Sequence, residues 1–471
     1  MVALSRSPLV LTAAIVADAA GGRLRHGRPD HVIASFTTDS RRIAPGQLFI
    51  ALRGERFDGA TFATASLNAG ACGVLVPTGT EVEAAHGAIL IEAADTLLAL
   101  QNLSRYVRRQ SGARVVAITG SAGKTSTKEA TADFLSTRYA VYRNAGNLNN
   151  HIGLPLSLLE LTSRPDVAVV ELGMNHAGEI RRLVELSEPE VRVWTNVGDA
   201  HVGHFGSVEA IADAKAEILE SASASTRLVA NADDALVMAH AERFPGVIDT
   251  FGLGEDADVR AVDVHDDGIR GTSARLQTRV GAISLRVPLP GRGPLLNVLA
   301  AAAVALAFEV SLDQIASHAA TLTAASRRGQ VIELARGVTL VDDSYNSSPA
   351  ALARALEALA ATSTDGRRVA VLGEMRELGE LSLALHEESG RRAVAAGIER
   401  LVAVGGDSAK ALVDAAVAAG LPAGRVAYFT TSTEAAEAIA NLLSAGDVVL
   451  VKGSRGTRMD VVADRVKREW A

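Results

Sequence analysis

Residues 114–128 read RVVAITGSAGKTSTK. An apolar run, Val115 to Ile118, ends in Thr119-Gly120-Ser121-Ala122-Gly123-Lys124-Thr125, and a segment with helical spacing follows. Strand, loop of small residues and helix, in that order, are what a phosphate-binding loop needs. Small residues let backbone N–H groups close around phosphate oxygens, and the helix start adds positive potential. On this reading Gly120, Ser121, Ala122, Gly123 and Ser126 line the phosphates, Lys124 meets the terminal ones and Thr125 holds a magnesium ion. The longer form of the motif begins with a glycine where Ile118 stands, so the match is to the shorter GxxGKT pattern. The bland alternative is a glycine-rich turn carrying a solvated lysine.

Around this loop, 471 residues are too many for one ordinary core, so two to four domains are expected. The 47 basic and 54 acidic residues leave a net charge of −7, which argues against nucleic acid as the main partner. The single cysteine, Cys72, allows no internal disulfide and fits a reducing cytoplasm. No apolar run reaches membrane-spanning length. The stretch PLVLTAAIVADAAGG near the start mimics a signal sequence. Asp18 interrupts it, and Leu9, Ile15 and Val16 fit a short amphipathic helix ending at Gly21-Gly22.

The chain falls into three parts. Residues 1–112 hold short strands (HVIASFTTDS, GQLFIAL, CGVLV, GAILIEA) and helical stretches near 59–70 and 95–110, a small α/β domain. Residues 113–324 alternate the strands RVVAIT, DVAVVELG and VRVWTNVG with helical segments at 124–136, 176–187 and 207–221. That spacing predicts a mostly parallel, P-loop-type sheet. Within it, 258–290 alternates and turns like a small antiparallel meander, and an alanine-rich helix follows at 295–309. Residues 325–471 repeat strand then helix five times, from VTLVDDS to DVVLVKG, which predicts a Rossmann-like doubly wound sheet.

Ligands of open parallel sheets sit at the carboxyl ends of the strands. There the sequence places Glu171, an oxygen donor of the kind magnesium takes, with a solvated acid as the alternative. His201 follows the next strand and is by residue type alone more often structural than a ligand. Lys215 has Ile211 four residues before it and Ile218 and Leu219 three and four after, so it lies on an apolar stripe. Burial there would lower its pKa and expose a neutral amine able to form a carbamate with carbon dioxide. From the residues alone, a stem packed on the core with its head reaching water is the favoured outcome. Two later clusters stand out, Asp342-Asp343-Ser344-Tyr345-Asn346 and Lys452-Gly453-Ser454-Arg455. The first offers acceptors to ribose or amine groups, the second cations to a carboxylate or phosphate, and either could merely cap a helix.

Taken together, these segments resemble the Mur ligase family of peptidoglycan synthesis over nearly the whole chain. The resemblance rests on TTDSRRIAPGQLFIALRGERFDGATF, TGSAGKTSTK, NLNNHIGLP, VVELGMNHAGEI, NVGDAHVGHFGS, AKAEI, VDDSYNSSP, VLGEMRELG and VKGSRGTRMD. DDSYN and GEMRELG point to the member that joins D-alanyl-D-alanine to a UDP-N-acetylmuramoyl-tripeptide at the expense of ATP. The resemblance implies phosphate and magnesium roles for Lys124 and Thr125, magnesium ligation by Glu171 and His201, and carbamylation of Lys215. It implies that Asn149 and Asn150 lie near phosphate and substrate, that Arg328 reaches ATP, and that Asp343 contacts ribose with Asn346 beside it. Lys452 and Arg455 would face the cleft, and Asp39, Ser40, Arg41, Arg53 and Gly54 would mark the uridine-nucleotide site. Asn297 is the remaining nucleotide contact, although Gly291-Arg292-Gly293-Pro294-Leu295-Leu296-Asn297 lacks the family's usual histidine–asparagine pair, and Ser347-Ser348 replaces its Ala-Asn. A cytoplasmic, monomeric enzyme acting through an acyl phosphate and a swinging C-terminal domain is implied. The rivals are folylpolyglutamate synthetase, disfavoured by the unit ahead of the phosphate loop, and a nucleotide-binding scaffold without ligation.

Overall fold

The computed structural model describes residues 6–54, 57–83, 87–199 and 202–471. Three sheets carry the fold, each flanked by helices. The first holds β1 (Arg23–His26), β2 (Ser35–Thr37), β3 (Gln47–Ile50), β4 (Gly73–Pro77) and β5 (Ile89–Ala93), in the order 1-5-4-3-2. All its pairings are parallel except β1 on β5. β1 is a strand the sequence reading lacked: RLRH is polar and mostly exposed, so it shows no alternation. The N-terminal helix is shorter than expected, Ala13–Ala19, because Thr12 caps it and Leu9 lies ahead of it.

The second sheet contains β6 (Arg114–Thr119), β7 (Val141–Arg143), β8 (Val167–Glu171), β9 (Val191–Trp194), β10 (Arg227–Asn231), β11 (Val247–Gly252), β12 (Val259–Asp266), β13 (Thr272–Thr278) and β14 (Gly281–Val287). Its order is 14-13-12-11-10-9-6-8-7. The meander over 258–290 is present as β12–β14, paired antiparallel. β10 and β11 are parallel strands that the sequence reading did not separate from the helices around them.

The third sheet holds β15 (Gln330–Glu333), β16 (Thr339–Asp343), β17 (Arg368–Gly373), β18 (Arg400–Val404), β19 (Val426–Phe429) and β20 (Val448–Lys452), ordered 15-16-20-17-18-19. The five expected strands are parallel, and β15 adds an antiparallel edge. Valines and leucines of β16, β17, β18 and β20 pack against the helices Ser432–Leu442 and Met459–Glu469 to form its core. The fold is thus mixed α/β, mostly parallel with antiparallel pieces, as the strand–helix alternation predicts. Among the described residues, no helix is long and apolar enough to cross a membrane.

Close contacts divide the chain into two units. One comprises Met1–Ile118, Arg138–Arg192 and Glu220–Thr226; the other comprises Thr119–Thr137, Val193–Leu219 and Arg227–Ala471.

Candidate active site

In the second unit the phosphate loop leaves β6 and enters the helix Lys124–Leu135. Gly123 precedes that helix with φ +84°, a conformation glycine adopts without strain. A side chain at Gly123 would overlap the carboxamide of Asn297, and one at Gly120 would overlap Thr195 Oγ1. Both glycines are therefore needed for close approach as well as for shape. Lys124 folds back, its Nζ donating to the Gly120 carbonyl at 2.6 Å.

The loop is clamped by the segment that follows β9. Asn196 accepts from the Ala122 N–H at 2.9 Å through Oδ1 and donates to the Ala122 carbonyl at 3.0 Å through Nδ2. The Ser121 N–H donates to the Asn196 carbonyl, and Thr195 Oγ1 donates to the Ala122 carbonyl at 2.7 Å. Ser121 Oγ accepts from the Gly198 N–H at 2.9 Å. The N–H groups of Ser121 and Ala122, expected to cradle phosphate, thus serve this clamp. Asn196 is not among the expected site residues; its signal is a polar residue two positions past an apolar strand.

Lys215 lies on the helix Val208–Ala216, which Ser207 caps. It is 2 % exposed, so its head does not reach water as the residues alone suggested. Burial, and secondarily the charge of Lys124, hold its pKa well below the ordinary lysine value. The arrangement presents a buried amine whose charged form is disfavoured by its surroundings. His201, two residues past Asp199, lies outside the described residues.

The C-terminal clusters meet in the same unit. β16 and β20 are adjacent and parallel, with Asp343 opposite Lys452, so the strand ends bring the two motifs together. Lys452 Nζ donates to Asp343 at 2.6 Å and to the Asn346 carbonyl at 3.0 Å. Burial pushes the Asp343 carboxyl up, and Lys452 opposes it. Asp342, fully buried, accepts from Ser344 Oγ and from Lys467 Nζ, each at 2.6 Å. Arg328 stacks its guanidinium 4.0 Å from the centre of the Tyr345 ring, and Arg455 lies 5.9 Å from the same ring. Arg328 and Asp343 therefore come together, whereas the ammonium of Lys452 is committed to its neighbours.

The first unit holds the remaining candidates. Glu171, 3 % exposed, ends β8; one of its oxygens accepts from Asn149 Nδ2 at 2.7 Å. The Asn149 carbonyl accepts from the Gly173 N–H, so Asn149 is fixed against the strand end at two points. Asn150 Oδ1 accepts from the N–H groups of Ile152 and Gly153 at the start of the helix Gly153–Leu159, a structural task the sequence did not suggest. Arg41 donates to both carboxylate oxygens of Asp39, at 2.8 and 2.9 Å, and this pairing draws the Asp39 pKa down to about 2. Ser40 lies between them, half-buried, and Arg53 and Gly54 are exposed where the backbone of Arg53 pairs antiparallel with that of Asp58.

Hard oxygen donors are the ligands magnesium favours, and the Thr125 hydroxyl and the Glu171 carboxylate are of that kind. Among the described residues no cluster of three His, Cys, Asp or Glu side chains has metal-binding geometry.

Three family models cover the chain: the Mur ligase family catalytic domain over residues 32–120, the Mur ligase middle domain over 118–305, and the Mur ligase glutamate ligase domain over 327–455. The UDP-N-acetylmuramoyl-tripeptide–D-alanyl-D-alanine ligase of Escherichia coli (strain K12) is 38% identical over 441 residues, 92% of this chain and 93% of that protein. The crystal structure of MurF from Acinetobacter baumannii superposes with a TM-score of 0.88 at 32% identity, covering 98% of this chain and 100% of that one. MurF ligase from Thermotoga maritima, in complex with ADP, gives 0.80 at 29% identity, with 93% and 98% covered. By sequence and by architecture, the chain belongs to the Mur ligase family.

Proposed function

We propose that this protein joins D-alanyl-D-alanine to a UDP-N-acetylmuramoyl-tripeptide, consuming ATP and releasing ADP and phosphate. One observation carries the reading: a phosphate loop with Lys124 folded over it shares a compact unit with Arg328 and the Asp343 cluster. The full-length likeness to D-alanyl-D-alanine-adding ligases, one of them solved with ADP, supplies the substrates.

The chemistry follows from the substrates. A carboxylate is a poor acyl donor because its leaving group would be oxide. Transfer of the terminal phosphate of ATP to it gives an acyl phosphate. The dipeptide amine attacks that carbonyl, and a tetrahedral intermediate collapses to the amide with phosphate leaving. Little of this requires covalent work by the protein. Lys124 and Arg328 are proposed to neutralise the charge on the transferring phosphoryl group, and the clamped loop to hold it in line. Asp343, with Asn346 beside it, is proposed to accept from the ribose hydroxyls, and Asn297 to approach the nucleotide over Gly123. Thr125, Glu171, His201 and a carbamate on Lys215 are the proposed magnesium ligands. Magnesium would neutralise phosphate charge when bound. Burial disfavours the charged form of the Lys215 amine, which favours carbamate formation, since only the unprotonated amine attacks carbon dioxide. Asn149 and Asn150, Asp39 to Arg41, Arg53 and Gly54, and Arg455 are proposed contacts for the UDP-linked substrate and the peptide.

The test is phosphate release from ATP and magnesium in the presence of the UDP-muramoyl tripeptide, with and without D-alanyl-D-alanine. Release that depends on the dipeptide supports the assignment. Release driven instead by a single amino acid, or equal release without any acceptor, overturns it.

A further inference from the structure

The clamp on the phosphate loop has a support of its own. Asn231, buried at the end of β10, donates from Nδ2 to the Thr195 carbonyl at 2.9 Å while its Oδ1 accepts from the Asp233 N–H at 3.0 Å. Asp234 divides its two oxygens. Oδ1 caps the helix Ala235–Ala241 by accepting from the N–H groups of Leu236 and Val237, and Oδ2 accepts from the Val197 N–H at 2.7 Å. Thr195 and Val197 flank Asn196, whose carboxamide holds Ala122. Two side chains on β10 and just beyond it thus fix both sides of the residue that fixes the loop.

We infer that Asn231 and Asp234 are positioning residues for the nucleotide: they set Asn196, and through it the path of Ser121 and Ala122 beneath Lys124, without touching the phosphates. A capping role alone would explain only the Asp234 Oδ1 contacts. It would leave the Oδ2 bond to Val197 and the Asn231 bond to Thr195 without a purpose beyond local folding. The sequence NADD, by itself, reads as a turn with a helix cap. The second contact of each side chain becomes visible only when β9 and β10 are side by side. This inference rests on the reading of residues 119–125 as the ATP site.

Isosteric exchanges separate positioning from folding. Asn231→Asp keeps the oxygen that Asp233 needs and sets a second oxygen against the Thr195 carbonyl. Asp234→Asn keeps one oxygen for the cap and sets an amide against the Val197 N–H. Each exchange is expected to raise KM for ATP about fivefold to tenfold, the scale of one lost hydrogen bond. KM for D-alanyl-D-alanine should stay at the parent value. ADP should also shift the melting temperature of the variants less than that of the parent. The inference is overturned if both variants bind ADP as the parent does. It is also overturned if the KM values for ATP and dipeptide rise together, as general loosening would cause. Should Asn231→Asp fail to fold, Asp234→Asn decides alone, since its side chain is only half-buried. A parent protein whose melting temperature ignores ADP would sink the ATP reading itself, and is thereby distinguished from failure of the positioning claim.

Discussion

At the phosphate loop, Ser121 and Ala122 are held by Asn196, Thr195 and Gly198 through neutral backbone, hydroxyl and carboxamide hydrogen bonds. At the end of the third sheet, the side chains are held by charge. Lys452 pairs with Asp343, Lys467 with Asp342, Arg327 with Asp460 and Asp464, and Arg328 lies on the Tyr345 ring. The contrast suits the two tasks. Neutral directional bonds fix the loop proposed to take the charged phosphates, and leave the Lys124 ammonium, which rests on the Gly120 carbonyl, as the cation proposed to meet them. In the cluster at the end of the third sheet, proposed above to meet the nucleotide, cations and acids satisfy one another. Breaking one region should therefore cost chemistry, and breaking the other should cost stability as well.

The largest effect is expected at the buried amine near the loop. Lys215→Ala should lower kcat by about 100-fold or more if the site needs an anionic ligand there, the scale of losing one electrostatic contact to the reacting group. Short-chain carboxylic acids, standing in for the carbamate, should restore part of it. Activity equal to the parent would remove the carbamate claim.

In the charged cluster, Lys452→Ala leaves Asp343 without its ammonium partner. Losing one member of a buried ion pair should cost about 3 kcal/mol of unfolding free energy, read as a lower urea midpoint. Lys452→Met combined with Asp343→Asn should recover most of that loss while activity stays low. A single variant as stable as the parent would show that the pair is not structural and return Lys452 to the substrate.

How far the sequence carried this contrast differs between the two regions. The phosphate loop was legible because strand, loop and helix lie within about fifteen residues and each has its own local signal. Its clamp was not, because Asn196 lies 74 residues from Ala122 and nothing local says which strand will lie beside β6. The third sheet was legible as a repeat of apolar strands, but β15 is half exposed at an edge and shows no such run. For Lys215, helical spacing placed the residue on an apolar face; whether its head escapes to water depends on what packs above it. Tyr345 has no local signal beside the acids, since only the hydrogen bond from its N–H to the Arg327 carbonyl brings Arg328 next to its ring.

That ring gives a smaller and more selective test. Tyr345→Phe keeps the face that Arg328 covers and should leave KM for ATP near the parent value. Tyr345→Leu removes it and should raise KM about fivefold, matching a cation–π contact of about 1 kcal/mol. If the hydroxyl mattered instead, phenylalanine would be as damaging as leucine, and the positioning of Arg328 would have to be sought elsewhere.

The smallest effect sharpens the contrast from inside the charged region, where one loop is held in the neutral manner. His386 is fully buried; its Nε2 accepts from the Met375 N–H at 2.9 Å and its Nδ1 faces the Ser382 carbonyl at 2.7 Å. Those two partners require the neutral ring with its proton on Nδ1, because a proton on Nε2 would point at another N–H. Burial accordingly lowers the His386 pKa, with the Ser382 carbonyl and the charge of Glu374 pulling the other way. The unfolded chain then binds this proton more readily than the native one, so stability falls as the solution is acidified. The contribution is complete above the unfolded value of about 6.5, drains as pH drops below it, and levels off once the folded ring has also titrated. Melting curves between pH 7.5 and pH 5 should show this loss in the parent and a flatter difference in His386→Gln, which cannot gain a charge. If the parent and variant curves stay parallel across that window, the loop from Glu374 to Gly379 is not held by a neutral imidazole, and the two regions differ less in kind than the contacts of Lys452 and Asn196 imply.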